Sequence, residues 1–434
     1  MSPPPRRSIL RILFIGLLLL GAAVDANDSN AYTVSLLNKI GFTSVTTSTV
    51  CSAAGITCES GVVSEIDFQA MIPISITLPD HTVAPFTSYD YSTMTITAIL
   101  CYNCGARFAG SLPAAWGNIK TLSRINFFVC RLTGTLPNEW GGMTGMTQLY
   151  LNGNRLEGTL PSSWGSMTKL GFLNFGSNTL LTGTLPPEWG SMTSLTDLYL
   201  DTNKISGSLP SEWGALSKLG TLYLFKTQVS GTLPPQWIGM TALKNLQMYY
   251  NKISGTLPSN WASMTNLQVL ILYGNQLTGS LPYQWSTLTA LTDLRLDTNG
   301  LTGSPPPEWS SLKNLKQLHL YTNKLTGTLP QEWSAMTNIF YLTLHHNQLT
   351  GTIPPQWSAM TGLGHIYLYN NQLTGTIPPE WSAMSNLVFF YLDNNRLTGR
   401  LPKRFPRLYE YFRRITIPSL ATFRGPTLPP TILL

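Results

Sequence analysis

The chain has 434 residues, 43% of them hydrophobic and 11% charged, enough apolar content to fold and little charge for a cytosolic surface. Its formal charge of +7 sits at the two ends: residues 1–24 hold three cations and no acid, residues 403–434 hold a net +5, and the body between is left at −1. A nearly neutral body excludes the basic face that a nucleic-acid partner requires.

At the N-terminus Arg6, Arg7 and Arg11 precede an apolar run from Ile12 to Leu20, and Val24-Asp25-Ala26 offers small residues for cleavage. This reads as an export signal over residues 1–26. The apolar run ends by Val24, short of the roughly 20 residues that span a bilayer comfortably; an uncleaved anchor is the competing reading. Asn27-Asp28-Ser29 is an N-glycosylation triplet just past the cleavage point. An exported chain meets an oxidising compartment. Cys51 and Cys58 precede the repeats and are expected to form a disulfide in an N-terminal cap over residues 27–95, because the first strand of a repeat stack needs its apolar edge covered. Cys101 and Cys104 form a C-x-x-C pair that invites a redox or zinc reading. No second ligand pair accompanies them and both fall in core slots of the repeat, so buried structural thiols or a local disulfide are expected, and no metal site.

From residue 96 to about 410 the chain repeats. Every Trp, from Trp116 to Trp381, falls in one series at 24-residue intervals, with a single 25-residue step from Trp164 to Trp189. A fixed period in this range is the mark of a solenoid. In residues 315–338, Leu315, Leu318, Leu320, Asn323 and Leu325 give L-x-x-L-x-L-x-x-N-x-L, followed by Gly327, Leu329, Pro330, Trp333 and Met336. The L-x-L step has the period of a strand, so Leu318 and Leu320 point inward while Gln317, His319 and Tyr321 face out. Gly and Pro then end the strand and turn the chain back, and the spacing of Trp333 and Met336 suits a short helical or 3₁₀ turn on the convex side. Thirteen such repeats follow Ile96, the first irregular, and Val63 and Ile66 upstream keep the same spacing. The fold class is an α/β solenoid: a right-handed leucine-rich-repeat arch with a parallel concave β-sheet and a 3₁₀, short-helix and loop convex side.

The Asn slot lies where the strand turns and its backbone groups cannot pair within the strand. An amide side chain both donates and accepts, so stacked Asn side chains are expected to form a ladder: Asn154, Asn178, Asn203, Asn251, Asn275, Asn299, Asn323, Asn347, Asn371 and Asn395, with Cys104, Cys130 and Thr227 in the slot elsewhere. The Trp series shares the core Leu frame and is expected inside the arch.

The unit LTGTLPPEWGSMT, and the pattern C-x-x-x-G-I-T-C ahead of VVSEIDF, resemble plant-type leucine-rich repeats. The Trp-Met variant, seen in Gly183–Met192 (GTLPPEWGSM) and Gly375–Met384 (GTIPPEWSAM), is similar to the promastigote surface antigen family of trypanosomatids and their relatives. The resemblance covers roughly residues 30–408 and implies a secreted or surface-attached protein that engages extracellular macromolecules. It departs from the family at the end, where the basic tail 411–434 has no Cys and no clear lipid-anchor signal, so membrane attachment stays open.

Strands about 4.8 Å apart over thirteen repeats give a concave sheet roughly 60 Å long. Its outward slots carry Tyr199, Tyr223, Tyr367 and Tyr391 between the inward Leu positions, and Tyr249, Tyr273, Tyr321 and Tyr369 two residues on, interleaved with Arg295, His319 and His345. Tyr has high strand propensity, but aromatics with a polar tip also mark interfaces; these residues are the expected ligand-binding face. His319, His345, His346 and His365 lie there too, expected as surface histidines and not as converging metal ligands. No phosphate loop, nucleophile elbow, zinc-protease motif or carboxylate pair occurs; Glu188, Glu308 and Glu380 share a convex slot at least a repeat apart. The expectation is a non-enzymatic binding protein with no cofactor, an extracellular protein or glycoprotein ligand, and a secreted or cell-surface location. An inhibitor of secreted hydrolases and a receptor-like ectodomain acting through a partner are the alternatives.

Overall fold

Leucines two residues apart can share one face of a strand, and only a neighbouring repeat can cover that face. The computed structural model, which describes residues 56–59, 62–67, 76–77, 96–105 and 108–399, shows this stacking. The expected export signal, Cys51, most of the expected cap over residues 27–95 and the tail 411–434 lie outside the described residues. Ile56–Glu59 pairs antiparallel with Val62–Asp67, which opens a run of strands that are all parallel, one per repeat, ending with Phe389–Tyr391. Register is kept throughout: Leu198 pairs with Leu222, Leu222 with Leu246, and Leu294 with Leu318. The inward residues, among them Leu318, Leu320 and Leu325, are fully buried.

Each repeat then makes a five-residue 3₁₀ helix, such as Gln331–Ala335, entered through an extended proline. This brings Trp333 inside. All twelve indoles are buried, and most consecutive rings stack, as Trp213, Trp237 and Trp261 do at 6.5 and 6.2 Å and nearly parallel, with Phe175 standing between Trp164 and Trp189. From Trp140 onward each indole N–H donates to the carbonyl of the helix-entry proline one repeat earlier, as Trp237 does to Pro210 at 2.9 Å. Trp and Pro therefore recur together because each satisfies the other's polar group at a buried position.

The Asn side chains run as a hydrogen-bonded file. Asn323 Nδ2 donates to the Leu296 and Leu320 carbonyls at 3.1 Å each, and its Oδ1 accepts from Leu301 N at 3.0 Å. Thr227 keeps part of this, its hydroxyl donating to Leu224 O and to Asn251 Oδ1. The one long repeat disturbs the file: Leu181 N turns back to Asn178 O, and Asn203 Oδ1, buried, has no donor.

One feature differs from the sequence reading. The Ser/Thr-Gly-Ser/Thr segments, expected as breaks, form further short parallel strands, including Ser206–Ser208, Gln228–Thr232, Lys252–Thr256 and Gln276–Thr278 in one sheet. Gly in these segments adopts φ near +75°, and a Thr or Ser side chain of the preceding repeat packs where its Cβ would be, as Thr232 does over Gly255 and Ser208 over Gly231. Pairing between repeats supplies the hydrogen bonds that a lone glycine segment lacks. Among the described residues no helix is long and apolar enough to cross a membrane.

Candidate ligand-binding face

The outward slots of the concave sheet are occupied by rings that stack on one another along the arch. Phe225, Tyr249 and Tyr273 form one triad, with centroids 4.5 and 4.7 Å apart and planes within 8°. Tyr321, His345 and Tyr369 form a second, at 4.4 Å for both steps. Beside it Tyr341, His365 and Phe389 make a third stack, at 4.1 and 4.8 Å. Tyr199 meets Tyr223, and Tyr367 meets Tyr391, edge to face at 5.0 and 5.1 Å. The face thus brings together all the predicted tyrosines, half-buried, with much of their ring area spent on each other.

Between the two triads lies a polar knot. Arg295 donates to Asp293 at 2.9 Å and to Gln317 Oε1 at 2.9 Å, and His319 Nδ1 lies 2.9 Å from the Thr343 hydroxyl. Asp297 is only 2% exposed, and the Tyr321 phenol is bonded to its carboxylate. Burial pushes Asp297 up to about 6 and holds His319 and His345 down at about 4. Burial of His345, stacked between Tyr321 and Tyr369, corrects its reading as a surface histidine. Burial likewise raises the tyrosines, Tyr199 and Tyr273 to about 12, so their phenols stay protonated donors at neutral pH.

These shifts set a pH dependence. Asp297 and Asp201, both raised, bind protons in the native state, a stabilisation lost as pH rises through about 4 to 6. His319, His345 and His365, all lowered, leave the unfolded chain binding more protons between about pH 4 and 6.5, so their contribution rises with pH. His319 and His345 each fall from 6.5 to about 4 while Asp297 rises from 3.8 to about 6, so the histidines set the sign of the slope. The melting temperature is expected to climb from pH 4 to 6.5, and the double variant His319→Gln/His345→Gln is expected to flatten or reverse that slope; a wild-type melting temperature that falls over this range would contradict the assignment.

Cys101 and Cys104 form a disulfide, and Cys58 is disulfide-bonded; Cys51, its expected partner, is outside the described residues. Cys130 is a free thiol pushed up to about 12 by burial, its sulfur within 4.8 Å of the Cys101 and Cys104 sulfurs.

A coil of strands in one continuous parallel sheet, an Asn file and 3₁₀ turns together define a leucine-rich-repeat solenoid. Models of the leucine-rich repeat match residues 289–349 and five single repeats over 145–167, 194–216, 266–288, 362–384 and 386–408. Among solved structures the chain is similar to a TDR receptor (28% identity, TM-score 0.61, covering 72% of this chain and 58% of that one). It is also similar to the plant peptide hormone receptor RGFR1 in complex with RGF2 (28%, 0.57, 81% and 65%). A third is a leucine-rich-repeat protein of Leptospira interrogans (25%, 0.55, 82% and 90%). The chain therefore spans less than two thirds of the two receptors' lengths. No curated protein sequence matches the chain.

Proposed function

We propose that this protein recognises an extracellular polypeptide, free or as part of a glycoprotein, through its concave sheet, and that it catalyses no reaction. The observation that carries this reading is the state of the aromatic rings. A sugar stacks on an exposed ring face, and here the central rings Tyr249 and His345 have both faces covered by neighbouring rings and the end rings of each triad have one. What the sheet offers is ring edges and phenol hydroxyls in files, a donor surface suited to backbone carbonyls and polar side chains. RGFR1, a receptor of the same fold, is a peptide hormone receptor, which supports a peptide-like ligand. The expected export signal and the Trp-Met unit similar to promastigote surface antigens support a secreted or surface-displayed protein of that kind, with membrane attachment a separate question that release from cells by phospholipase answers.

The reading is tested by panning a random-peptide display library against the full chain. Selected peptides are expected to lose at least about tenfold in affinity for Tyr249→Ala/Tyr369→Ala, since buried tyrosines are frequent hot spots. They are expected to bind Tyr283→Ala, on a convex 3₁₀ helix, as they bind the wild type. Peptides indifferent to the concave pair overturn it.

A further inference from the structure

The near-neutral charge of the body is a sum over unlike faces. Acids collect on the concave sheet, as Asp197 and Asp293 do, and on the 3₁₀ helices, as Glu139, Glu212 and Glu332 do. Cations collect at the two edges between them, and one edge carries them in file. The slot just before the inward aliphatic residue of each Ser/Thr-Gly segment holds Arg131, Arg155, Lys204, Lys252, Lys324 and Arg396. Gln228, Gln276, Gln348 and Gln372 take it in four other repeats, Leu180 and Gly300 in the remaining two, and no acid occurs there. All six cations are exposed, and none has a hydrogen bond or ion pair among the described residues.

Strand alternation sets hydroxyls beside this file. In Lys252–Thr256 the outward side chains are Lys252, Ser254 and Thr256, with Ile253 buried between them. Two files of Ser and Thr therefore run along the cations, broken by one acid, Glu157. Both are held in place. In the first, hydroxyls donate to a glycine carbonyl one repeat earlier, as Thr350 does to Gly327 at 3.2 Å and Thr278 to Gly255 at 3.3 Å, which leaves their oxygens as acceptors. In the second, the Thr methyl packs against the glycine of the next repeat, and the hydroxyls of Thr184, Thr232, Thr256, Thr328 and Thr352 have no partner among the described residues. At about 4.8 Å per repeat the cation file is about 50 Å long, with Arg155, Lys204 and Lys252 about 10 Å apart. A groove lined by Thr328, Thr352 and Glu332 lies on the side of the 3₁₀ helices, so negative charge bounds the face there.

We propose that this lateral face binds a linear anionic polysaccharide, sulfated or carboxylated, laid along the cation file with its hydroxyls over the Ser and Thr files. Spaced cations meet spaced anionic groups, and amide and hydroxyl side chains meet the sugar hydroxyls between them. Such a ligand is held by its charges and needs no open ring to stack on. A nucleic-acid single strand uses aromatic platforms, and these files hold no aromatic residue. An acidic peptide uses a buried apolar anchor, and the files offer only the exposed Leu180. The lateral face is separate from the concave sheet, so the inference stands whether or not that sheet binds a polypeptide.

The test measures binding of the full chain to immobilised heparin fragments, oligogalacturonate, uncharged dextran and a DNA single strand at low and physiological salt. At least one anionic saccharide is expected to bind and dextran is not; which saccharide binds tells sulfate from carboxylate. Lys204→Gln/Lys252→Gln/Lys324→Gln installs the residue that four repeats already carry in this slot. It is expected to melt like the wild type and to lose about tenfold or more in affinity, three exposed charge pairs together. Lys169→Gln/Lys218→Gln/Lys313→Gln removes the same charge from the opposite edge, just ahead of the concave strands, and is expected to bind like the wild type. No binding of either saccharide, or an equal response of the two triple variants, overturns the lateral face as the site. A DNA strand bound as tightly as the saccharide, and weakened by the same triple variant, overturns the polysaccharide as its ligand.

Discussion

Trp237→Ala is expected to destabilise the arch by about 3–5 kcal/mol, the range for removing a large buried aromatic side chain. Its ring lies between Trp213 and Trp261 in the indole column, at 6.5 and 6.2 Å, so the substitution opens a cavity bounded by two flat rings that cannot close over it. It also removes the donor to the Pro210 carbonyl, 2.9 Å away, which is buried on the entry to the preceding 3₁₀ helix. A solenoid is held by contacts between adjacent repeats, so damage at one repeat weakens the coupling of those on either side. Thermal or urea unfolding is expected to shift downward and to split into two transitions. Trp237→Phe, which keeps a ring but not the N–H, is expected to fall between. A wild-type melting curve for the Ala variant would contradict the column's structural role.

Asn323→Leu is expected to cost about 1–3 kcal/mol for each buried backbone group it leaves without a partner. One such group depends on this side chain alone, the Leu301 N–H, while the Leu296 and Leu320 carbonyls each lose one of two donors and keep Asn299 Nδ2 and Asn347 Nδ2. Leucine keeps the branched outline of asparagine while removing its donor and its acceptor, so the ladder bonds of this repeat are lost together. Thr227 shows what a hydroxyl can retain in the same slot, so Asn323→Thr is expected to be milder than Asn323→Leu. Equal urea midpoints for wild type and Asn323→Leu would remove the ladder from the account.

The frame was legible because its period and its geometry coincide. Leu318, Asn323 and Trp333 each recur at the spacing that places them in identical surroundings one repeat on, so periodicity alone separates them from the variable outward residues. The Ser/Thr-Gly strands were not legible. Gly255 looks like a break within its own repeat, and only the Thr232 methyl and the paired strand one repeat earlier turn it into sheet. On the binding face, the slots of Tyr249 and Tyr369 followed from alternation, but the stacking of their rings did not, because ring orientation depends on partners 24 residues away. The burial of His345 between Tyr321 and Tyr369 was hidden for the same reason.

The claim beneath all of this is that the tyrosine-lined sheet is the surface that meets the partner. Nitration of tyrosines, mapped by mass spectrometry with and without a display-selected peptide, tests it most directly. Tyr249, Tyr273 and Tyr369 are expected to be protected by the peptide while Tyr283, 57% exposed on the convex side, reacts as before. Protection of Tyr283 with the concave tyrosines unchanged would place recognition on the opposite side of the arch and contradict the account.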